Sequence, residues 1–355
     1  MEIKKKIESF CKLGQFLQQF ETETLINSDL KELNDLFYDR FQDLIKKQYH
    51  YNGWFTEQNV RTAINSIAKT LNKEQLETWL SKYKDIVKKS SKRVGVIMAG
   101  NIPMVGFHDF LCVLMSGNIF IGKASSDDKY LLPFISEVLI KIEPDLKDFI
   151  FFTDSQLRNI DAVIATGSNN SSRYFDYYFG KYPHIIRKNR ASVAVLNGKE
   201  SEGDLENLGK DIFQYFGLGC RNVSKVYVPK GYDFDKFFKA IYAFKDVVNN
   251  NKYGNNYDYN KTIYLMNTTK LLENGFLLLK EDQGIVSPVA VLYYEYYSDK
   301  KTLLEKLRVN SSAVQCIVSN DKVIQSAVPF GKAQYPELFE YADGVDTMKF
   351  CLATI

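Results

Sequence analysis

The chain has 355 residues, of which 45% are hydrophobic and 25% charged, values ordinary for a soluble globular protein with two domains or one large α/β unit. The formal net charge is only +3 and the lysines are dispersed among acidic residues, which argues against nucleic-acid binding. The five cysteines and three histidines are scattered without metal-ligand spacing or a disulfide framework. With no signal-peptide core and no apolar run long enough to span a bilayer, we expect a reduced, cytoplasmic protein without a metal site.

The pattern of apolar residues predicts helices first and alternating strands and helices afterwards. Residues 1–90 read as helical, and Val94–Met98 is then a short apolar run typical of a buried strand. The later alternation predicts parallel sheets of βαβ units. The further predicted strands are Ile119–Gly122, Phe149–Phe152, Ala162–Ala165, Val193–Leu196, Lys225–Val228, Thr262–Met266, Val289–Tyr293 and Val314–Val318.

Two polar stretches interrupt this pattern. Asn197–Gly203 is rich in turn formers, and we expect a domain boundary there, which divides the chain into residues 1–90, 91–198 and 199–355. The asparagine-rich stretch Asn249–Asn256 predicts an exposed loop.

The most informative motif is the segment Phe216–Asn222, in which two glycines precede a lone thiol at a bend. An amphipathic helical run comes before it and a strand-like run follows. Glycines allow a tight turn that presents Cys220 to a substrate, whereas a structural cysteine usually lies within an element. A helix C-cap with a buried cysteine is the alternative, and the local sequence favours neither.

Polar residues also follow three of the predicted strands, where α/β proteins place ligands. After the first strand, Gly100–Pro103 contains Asn101, whose amide suits a developing oxyanion; the alternative is a helix start. Lys123 comes just after the second strand and suits a ribose or a phosphate. Thr166–Ser168 follows another strand and opens a helix, which suits a pyrophosphate, although Ser168 as a plain N-cap explains it equally.

Three other features have less specific interpretations. Glu281–Gly284 and Pro329–Gln334 are each consistent with the lining of a cleft or with ordinary turns. His108 lies in a predicted helix among apolar residues, and we interpret it as structural rather than as a base.

The ordered set of motifs resembles the aldehyde dehydrogenase superfamily. It resembles more closely the acyl-CoA reductase family, which includes the fatty-acid reductase subunit of bacterial bioluminescence. The resemblance extends from about Val94 to the C-terminus, and its most specific segments are Gly100–Pro103, Gly219–Lys225, Phe330–Gln334 and Tyr341–Asp346. It implies an α/β fold with two Rossmann-like parallel-sheet domains and a helical N-terminal extension. Residues 91–198 would form the NAD(P)-binding domain, on which residues 1–90 pack, and residues 199–355 the catalytic domain.

The resemblance implies two catalytic residues. Cys220 would be the nucleophile that forms an acyl-enzyme thioester, and Asn101 with the backbone N–H of Cys220 would form the oxyanion hole. Hydrolytic aldehyde dehydrogenases carry a glutamate base before the cysteine, and the corresponding segment here, Arg187–Val193, has no carboxylate. The thioester would therefore persist for reduction rather than hydrolysis.

The resemblance also implies a cofactor site. Lys123 would meet the adenosine ribose or the 2′-phosphate of NADP, and Thr166, Gly167 and Ser168 would lie along the pyrophosphate or the nicotinamide. Glu281 is the candidate for the nicotinamide ribose. A departure from the usual pattern is that Ser171–Arg173 stands where the superfamily reaches a glycine.

These features predict an NADPH-dependent acyl-CoA reductase that forms aldehyde and releases CoA, with NADH as the alternative cofactor. The expected substrate is acyl-CoA or an acyl-protein, the expected partners are an acyl-transferase or a synthetase, and the chain is expected to form a homo-oligomer. Two other functions remain open. One is reduction of an acyl-carrier protein thioester or an acyl phosphate, and the other is a non-catalytic subunit of an acyl-transfer complex.

Overall fold

The computed structural model describes residues 1–21, 27–83, 90–167 and 169–354, apart from the side chains at 169, 170 and 354. The chain forms two compact units. The first comprises Met1–Lys188 and Glu337–Ile355, and the second comprises Asn189–Pro336.

The first unit begins with helices and continues as a parallel α/β sheet, as the sequence predicts. Its helices are α1 (Ile3–Gln18), α2 (Lys31–Tyr51), α3 (Glu57–Thr70), α4 (Lys73–Ser81), α5 (Phe107–Met115), α6 (Leu131–Ile142) and α7 (Asn169–Phe179). Its strands are β1 (Arg93–Ile97), β2 (Ile119–Lys123), β3 (Ile150–Phe152), β4 (Ala162–Thr166) and β5 (His184–Arg187).

Among the described residues, these strands form one five-stranded parallel sheet in the order β3-β2-β1-β4-β5. The chain moves from β1 outward to β3 and then returns to the other side of β1 with β4, so the order reverses at β1. In open α/β sheets, ligands bind beyond the carboxyl ends of the strands at such a switch point. Ile121, Val163 and Ala165 are buried in one cluster, against which Phe175 and Phe179 of α7 pack.

The second unit is also an α/β layer structure. Its helices are α8 (Glu202–Phe213), α9 (Phe234–Ala240), α10 (Asn251–Met266) and α11 (Lys300–Val309). Its strands are β6 (Ala191–Val195), β7 (Val223–Pro229), β8 (Leu271–Glu273), β9 (Leu278–Glu281), β10 (Val291–Tyr297) and β11 (Val314–Val318). The described strands pair in the order β11-β6-β7-β10-β9-β8, and all pairs are parallel except β8 with β9.

The two units differ in two places from the division predicted from the sequence. The boundary falls at 188/189 rather than 198/199, because β6 pairs with β7 and β11 in the second sheet. The C-terminal segment, which contains α12 (Thr347–Lys349), belongs to the first unit. There Trp79 Nε1 donates to Tyr341 Oη at 2.7 Å, and Asn118 Nδ2 donates to the Cys351 carbonyl at 2.8 Å.

The predictions for the asparagine-rich region were wrong. The expected loop at Asn249–Asn256 and the expected strand at Thr262–Met266 instead contribute to helix α10. Asn250 caps this helix, because its side chain accepts hydrogen bonds from the backbone of Lys252 and Tyr253. The Tyr253 ring is 2% exposed and its hydroxyl donates to the Phe276 carbonyl. A capping asparagine followed by a buried tyrosine thus outweighs the turn-forming composition.

His108 is structural in this fold, in agreement with the interpretation from the sequence. Its Nε2–H donates to the Leu338 carbonyl at 2.9 Å, and burial lowers the pKa of its imidazole. Within the described ranges, no α-helix combines the length and the apolarity needed to cross a membrane.

The packing of α1 predicts a large effect from one methyl group. A Cβ at Gly14 would lie 2.6 Å from the carbonyl oxygen of Leu71 and 2.8 Å from its Cβ. Relief of this clash requires a shift of the backbone, because the carbonyl oxygen belongs to the main chain. We therefore expect Gly14→Ala to reduce the free energy of unfolding by about 1–3 kcal/mol, measured by calorimetry.

Gly203→Ala in α8 is the matched control, since the nearest atom to its Cβ lies 3.9 Å away. Alanine should there be neutral or stabilise by about 0.5–1 kcal/mol. Equal effects at both glycines would contradict the packing described for α1.

Candidate active site

The turn after β1 carries Asn101, and two buried side chains fix its backbone by hydrogen bonds. Asn52 Nδ2 donates to the carbonyls of Gly100 and Asp127, each at 3.4 Å. Asp128 Oδ2 accepts the backbone N–H of Met104 at 2.6 Å, and Met104 has a left-handed φ of 59°. Burial raises the pKa of Asp128 to about 6. Asn101 itself is exposed at the start of this supported turn.

Gly100 is required by the close approach of two loops. A Cβ there would lie 2.7 Å from the Ser125 hydroxyl oxygen and 2.8 Å from the Cβ of Asp127. A side chain at this position would push the Asn101 turn away from the loop that follows β2. Close packing between these two loops therefore explains why the Gly-Asn-x-Pro motif has glycine at position 100.

Lys123 and Thr166 come to the same edge of the first sheet. Lys123 ends β2 and is in register with Ile97 of β1, which is in register with Ala165 of β4. Thr166 follows as the last residue of β4, so the two half-buried side chains lie two strands apart, about 10 Å. The structure thus brings Lys123 and Thr166 to the switch point where the Asn101 turn begins.

A buried ion pair lies beside Thr166. Arg187, the last residue of β5, donates to both carboxylate oxygens of Asp109, at 2.6 and 2.8 Å. Its guanidinium also donates to the hydroxyls of Thr347, at 2.9 Å, and Thr166, at 3.4 Å. Arg187 therefore ties the ends of β4 and β5 to α5 and to the C-terminal segment.

Gly167 lies between β4 and α7. A Cβ there would lie 2.9 Å from the Phe175 ring and 3.0 Å from the Cβ of Ser171, so only glycine fits without displacing the start of α7. Ser168, the third residue predicted for this site, lies outside the described residues.

In the second unit, Cys220 lies on a turn between α8 and β7. Helix α8 ends at Phe213. Tyr215, Phe216 and Gly217 then have φ angles of 52°, 58° and 77°. Left-handed backbone costs about 1–2 kcal/mol for each residue other than glycine, so this reversal needs compensating contacts. It delivers a half-buried Cys220 just before β7.

Ser192 of β6 holds the Cys220 turn from the side of the sheet. Its hydroxyl donates to the Cys220 carbonyl at 3.1 Å and accepts the backbone N–H of Cys316 at 3.2 Å. Both neighbouring strand pairs shift register at this level, which makes room for the hydroxyl. Ser192 thereby links the turn to the amino end of β6 and to the middle of β11.

Asp211 of α8 anchors the Pro-Phe-Gly segment. Its carboxylate accepts the backbone N–H groups of Gly331, at 2.6 Å, and Ala333, at 3.0 Å. Burial raises the pKa of Asp211 to about 6, although these two hydrogen bonds oppose the shift. Arg221 Nε donates to the Ala333 carbonyl, so the arginine next to Cys220 helps to hold the same segment.

Glu281 is not brought to the Cys220 turn. It is the exposed last residue of β9, level with Tyr294 of β10 and, through it, with Val226 of β7. With about 3.3 Å per residue and about 4.8 Å between strands, it lies about 10 Å along the sheet and about 10 Å across it from the start of β7. Glu281 instead lines a polar groove with Glu295 and Lys306.

Sequence reasoning missed Arg187, Asp211 and Ser192. Each acts on a partner far along the chain: Arg187 on Asp109, Asp211 on Gly331, and Ser192 on Cys220. A charged residue within an otherwise apolar strand or helix face was the available signal for Arg187 and Asp211, since a buried charge needs a partner.

The Arg187–Asp109 pair predicts a stability effect in the first unit. Asp109→Asn would leave a buried guanidinium without its counter-charge, so we expect a loss of about 3–5 kcal/mol. The two tryptophans of the chain, Trp54 and Trp79, lie in this unit, so their fluorescence during urea unfolding reports the change. Asp148→Asn, at an exposed position, is the control; an unchanged midpoint for Asp109→Asn would contradict the pair's role.

Solved aldehyde dehydrogenases share this architecture. KauB from Pseudomonas aeruginosa is 13% identical, with a TM-score of 0.61 over 90% of this chain and 82% of that chain. A mutant of the P. syringae AldA indole-3-acetaldehyde dehydrogenase, solved with NAD+ and IAA, is 11% identical, with a TM-score of 0.66 over 94% of this chain and 75% of that chain. These similarities confirm the predicted aldehyde-dehydrogenase-like α/β fold.

No curated protein matches the chain. The family model described as Acyl-CoA reductase (LuxC) matches residues 21–243, well over half of the chain, including the Asn101 turn, Lys123, Thr166 and Cys220. The chain therefore belongs to the acyl-CoA reductase (LuxC) family.

Proposed function

We propose that this protein reduces acyl-CoA to the aldehyde with NADPH, through an acyl thioester on Cys220 and with release of CoA. The observation that supports this most is the built turn at Cys220, which a strained reversal of the backbone and hydrogen bonds from two elements hold in place. By contrast, Cys112 and Cys351 are buried, and burial raises the pKa of the Cys112 thiol well above its usual range.

The chemistry at Cys220 is acyl transfer followed by release of the aldehyde. Attack of the Cys220 thiolate on the acyl carbonyl carbon forms the new carbon–sulfur bond, and the bond from that carbon to the CoA sulfur breaks. CoA leaves with the electron pair of that bond and takes up a proton. After two-electron reduction of the acyl carbon, cleavage of its bond to Sγ releases the aldehyde and regenerates Cys220. Stabilisation of the oxyanion by Asn101 stays a prediction from the family resemblance.

The segment Arg187–Val193 supports reduction over hydrolysis. It corresponds to the segment that carries a glutamate base in hydrolytic aldehyde dehydrogenases, yet it has no carboxylate. Arg187 is instead committed to Asp109, and the Ser192 hydroxyl to the Cys220 turn. This segment therefore provides no group to activate water against a thioester.

The residues at the carboxyl edge of the first sheet support binding of a nicotinamide dinucleotide there. Lys123 and Thr166 reach the switch point with half-exposed side chains, and Gly167 lets the chain turn closely there. Lys123 would hold the adenosine ribose or the 2′-phosphate of NADPH, and Thr166 and Gly167 would meet the pyrophosphate or the nicotinamide. When bound, the reduced nicotinamide supplies a hydride. Ser168 and Glu281 stay predictions, and NADH is the alternative cofactor.

Replacement of Cys220 should abolish reduction. We expect Cys220→Ala to lower the rate of NADPH oxidation with acyl-CoA by about 10³-fold or more, as removal of a nucleophile ordinarily does. Cys11→Ala, a half-buried cysteine of α1, is the matched control and should keep the native rate. Native activity of Cys220→Ala would refute the thioester mechanism.

The acyl donor is tested with the same assay. NADPH oxidation is compared for acyl-CoA, acyl-carrier protein and acyl phosphate at equal concentrations. The proposal expects the highest kcat/KM for acyl-CoA. A higher value for either other donor would move the assignment to that donor, and no turnover with any of them would favour the non-catalytic subunit.

The side chain of Lys123 should determine the preference for NADPH over NADH. Loss of a charge-assisted contact to a 2′-phosphate is worth about 1.5–3 kcal/mol, so Lys123→Gln should reduce kcat/KM for NADPH by roughly 10-fold or more and change that for NADH much less. Lys147→Gln, an exposed lysine of the same unit, is the control. An equal loss with both cofactors would place Lys123 at a group that they share, such as the ribose.

A further inference from the structure

We propose that Asn222 is the positioning residue of the nucleophile: its side chain fixes the Cys220 turn to the end of α8. This inference rests on the proposed function, because it assigns a role in the acyl transfer at Cys220. Asn222 is 1% exposed, and both ends of its amide are used inside the second unit.

The amide nitrogen of Asn222 satisfies the end of the preceding helix. The last carbonyls of an α-helix have no partner within the helix, and the reversal after Phe213 removes the usual continuation. Asn222 Nδ2 donates to the carbonyls of Asp211, at 3.0 Å, Gln214, at 2.8 Å, and more weakly Ile212, at 3.4 Å. One side chain from beyond the turn therefore caps α8.

The amide oxygen of Asn222 closes the turn itself. Its Oδ1 accepts the backbone N–H of Gly219 at 2.8 Å, while its own backbone N–H donates to the Gly219 carbonyl at 3.0 Å. Cys220 thus lies within a four-residue turn that Asn222 closes twice. On the other side, Ser192 holds the Cys220 carbonyl.

These contacts give Asn222 a role beyond stabilising the fold, because they set the position of Cys220 relative to α8. The carbonyls that it caps belong to the same helix end whose Asp211 carboxylate holds the Pro-Phe-Gly segment. Without the amide, Cys220 would lose its fixed relation to α8, although β7 and the sheet would remain paired. Because a displacement of about 1 Å can cost about 100-fold in rate, the expected effect is on acyl transfer.

The test compares Asn222→Asp and Asn222→Ala with the wild-type chain. Asparagine to aspartate is nearly isosteric and keeps the acceptor for Gly219, but it replaces the donor to the α8 carbonyls by an oxygen. We expect the rate of Cys220 acylation by acyl-CoA, measured by rapid quench and mass spectrometry, to fall about 10- to 100-fold in both variants. The KM for NADPH should be unchanged.

Two controls define the outcomes. Asn255→Asp, on the exposed face of α10, should acylate at the native rate. If the Asn222 variants melt at a lower temperature but acylate within 2-fold of wild type at 20 °C, Asn222 is merely structural and the proposal fails. If Asn222→Ala does not fold, the acylation rate of Asn222→Asp alone tests the proposal.

A readout that needs no substrate distinguishes failure of this inference from failure of the proposed function. Alkylation of Cys220 by iodoacetamide, followed on its tryptic peptide, should become at least 3-fold faster in the Asn222 variants, because a released turn exposes the half-buried thiol. If wild-type protein takes no acyl group, the proposed function fails. Unchanged alkylation together with unchanged amide exchange at residues 214–222 would overturn the positioning role independently.

Discussion

The position of Cys220 depends on the reversal of the backbone between α8 and β7. Two non-glycine residues in left-handed conformation, Tyr215 and Phe216, cost about 1–2 kcal/mol each, and Gly217 completes the reversal. A buried hydrogen bond is worth about 1 kcal/mol net, so several are needed to offset this strain. The contacts of Asn222 and Ser192 supply them, and both converge on the turn or on the helix end before it. A strained backbone that hydrogen bonds hold in place fixes the position of Cys220, as a nucleophile requires.

The two units use buried charged groups in the same way. In the first unit, Arg187 is neutralised by Asp109 and reaches Thr166 at the end of β4. In the second, the Asp211 carboxylate is stabilised mainly by backbone N–H groups, with smaller contributions from the charges of Arg221 and Lys210. In both cases a charge that is costly to bury holds chain segments together at a strand or helix end. Each unit thereby presents its loops on a rigid framework, with Lys123 and Thr166 on one and Cys220 on the other.

The sequence predicted the local features and missed the long-range ones. Gly217 and Gly219, just before Cys220, predict a bend there, and short apolar runs predict most of the strands, but not β5, β8 or β9. The helix at Asn251–Met266 was mistaken for a loop and a strand, because an N-cap at Asn250 and the burial of Tyr253 do not register in composition. The C-terminal segment was placed in the wrong unit, because its anchors, such as Trp79 with Tyr341, join residues far apart in the chain. Contacts between residues so far apart in the chain depend on tertiary packing, which a local sequence pattern does not indicate.

Whether Cys220 carries the acyl group is tested by the mass of the protein after incubation with acyl-CoA in the absence of any reductant. We expect one added acyl group per chain, located on the Cys220 peptide, and its loss as free aldehyde when reduced nicotinamide is added. An acyl group on another cysteine such as Cys316, or no adduct while acyl-CoA is still reduced on addition of NADPH, would contradict it.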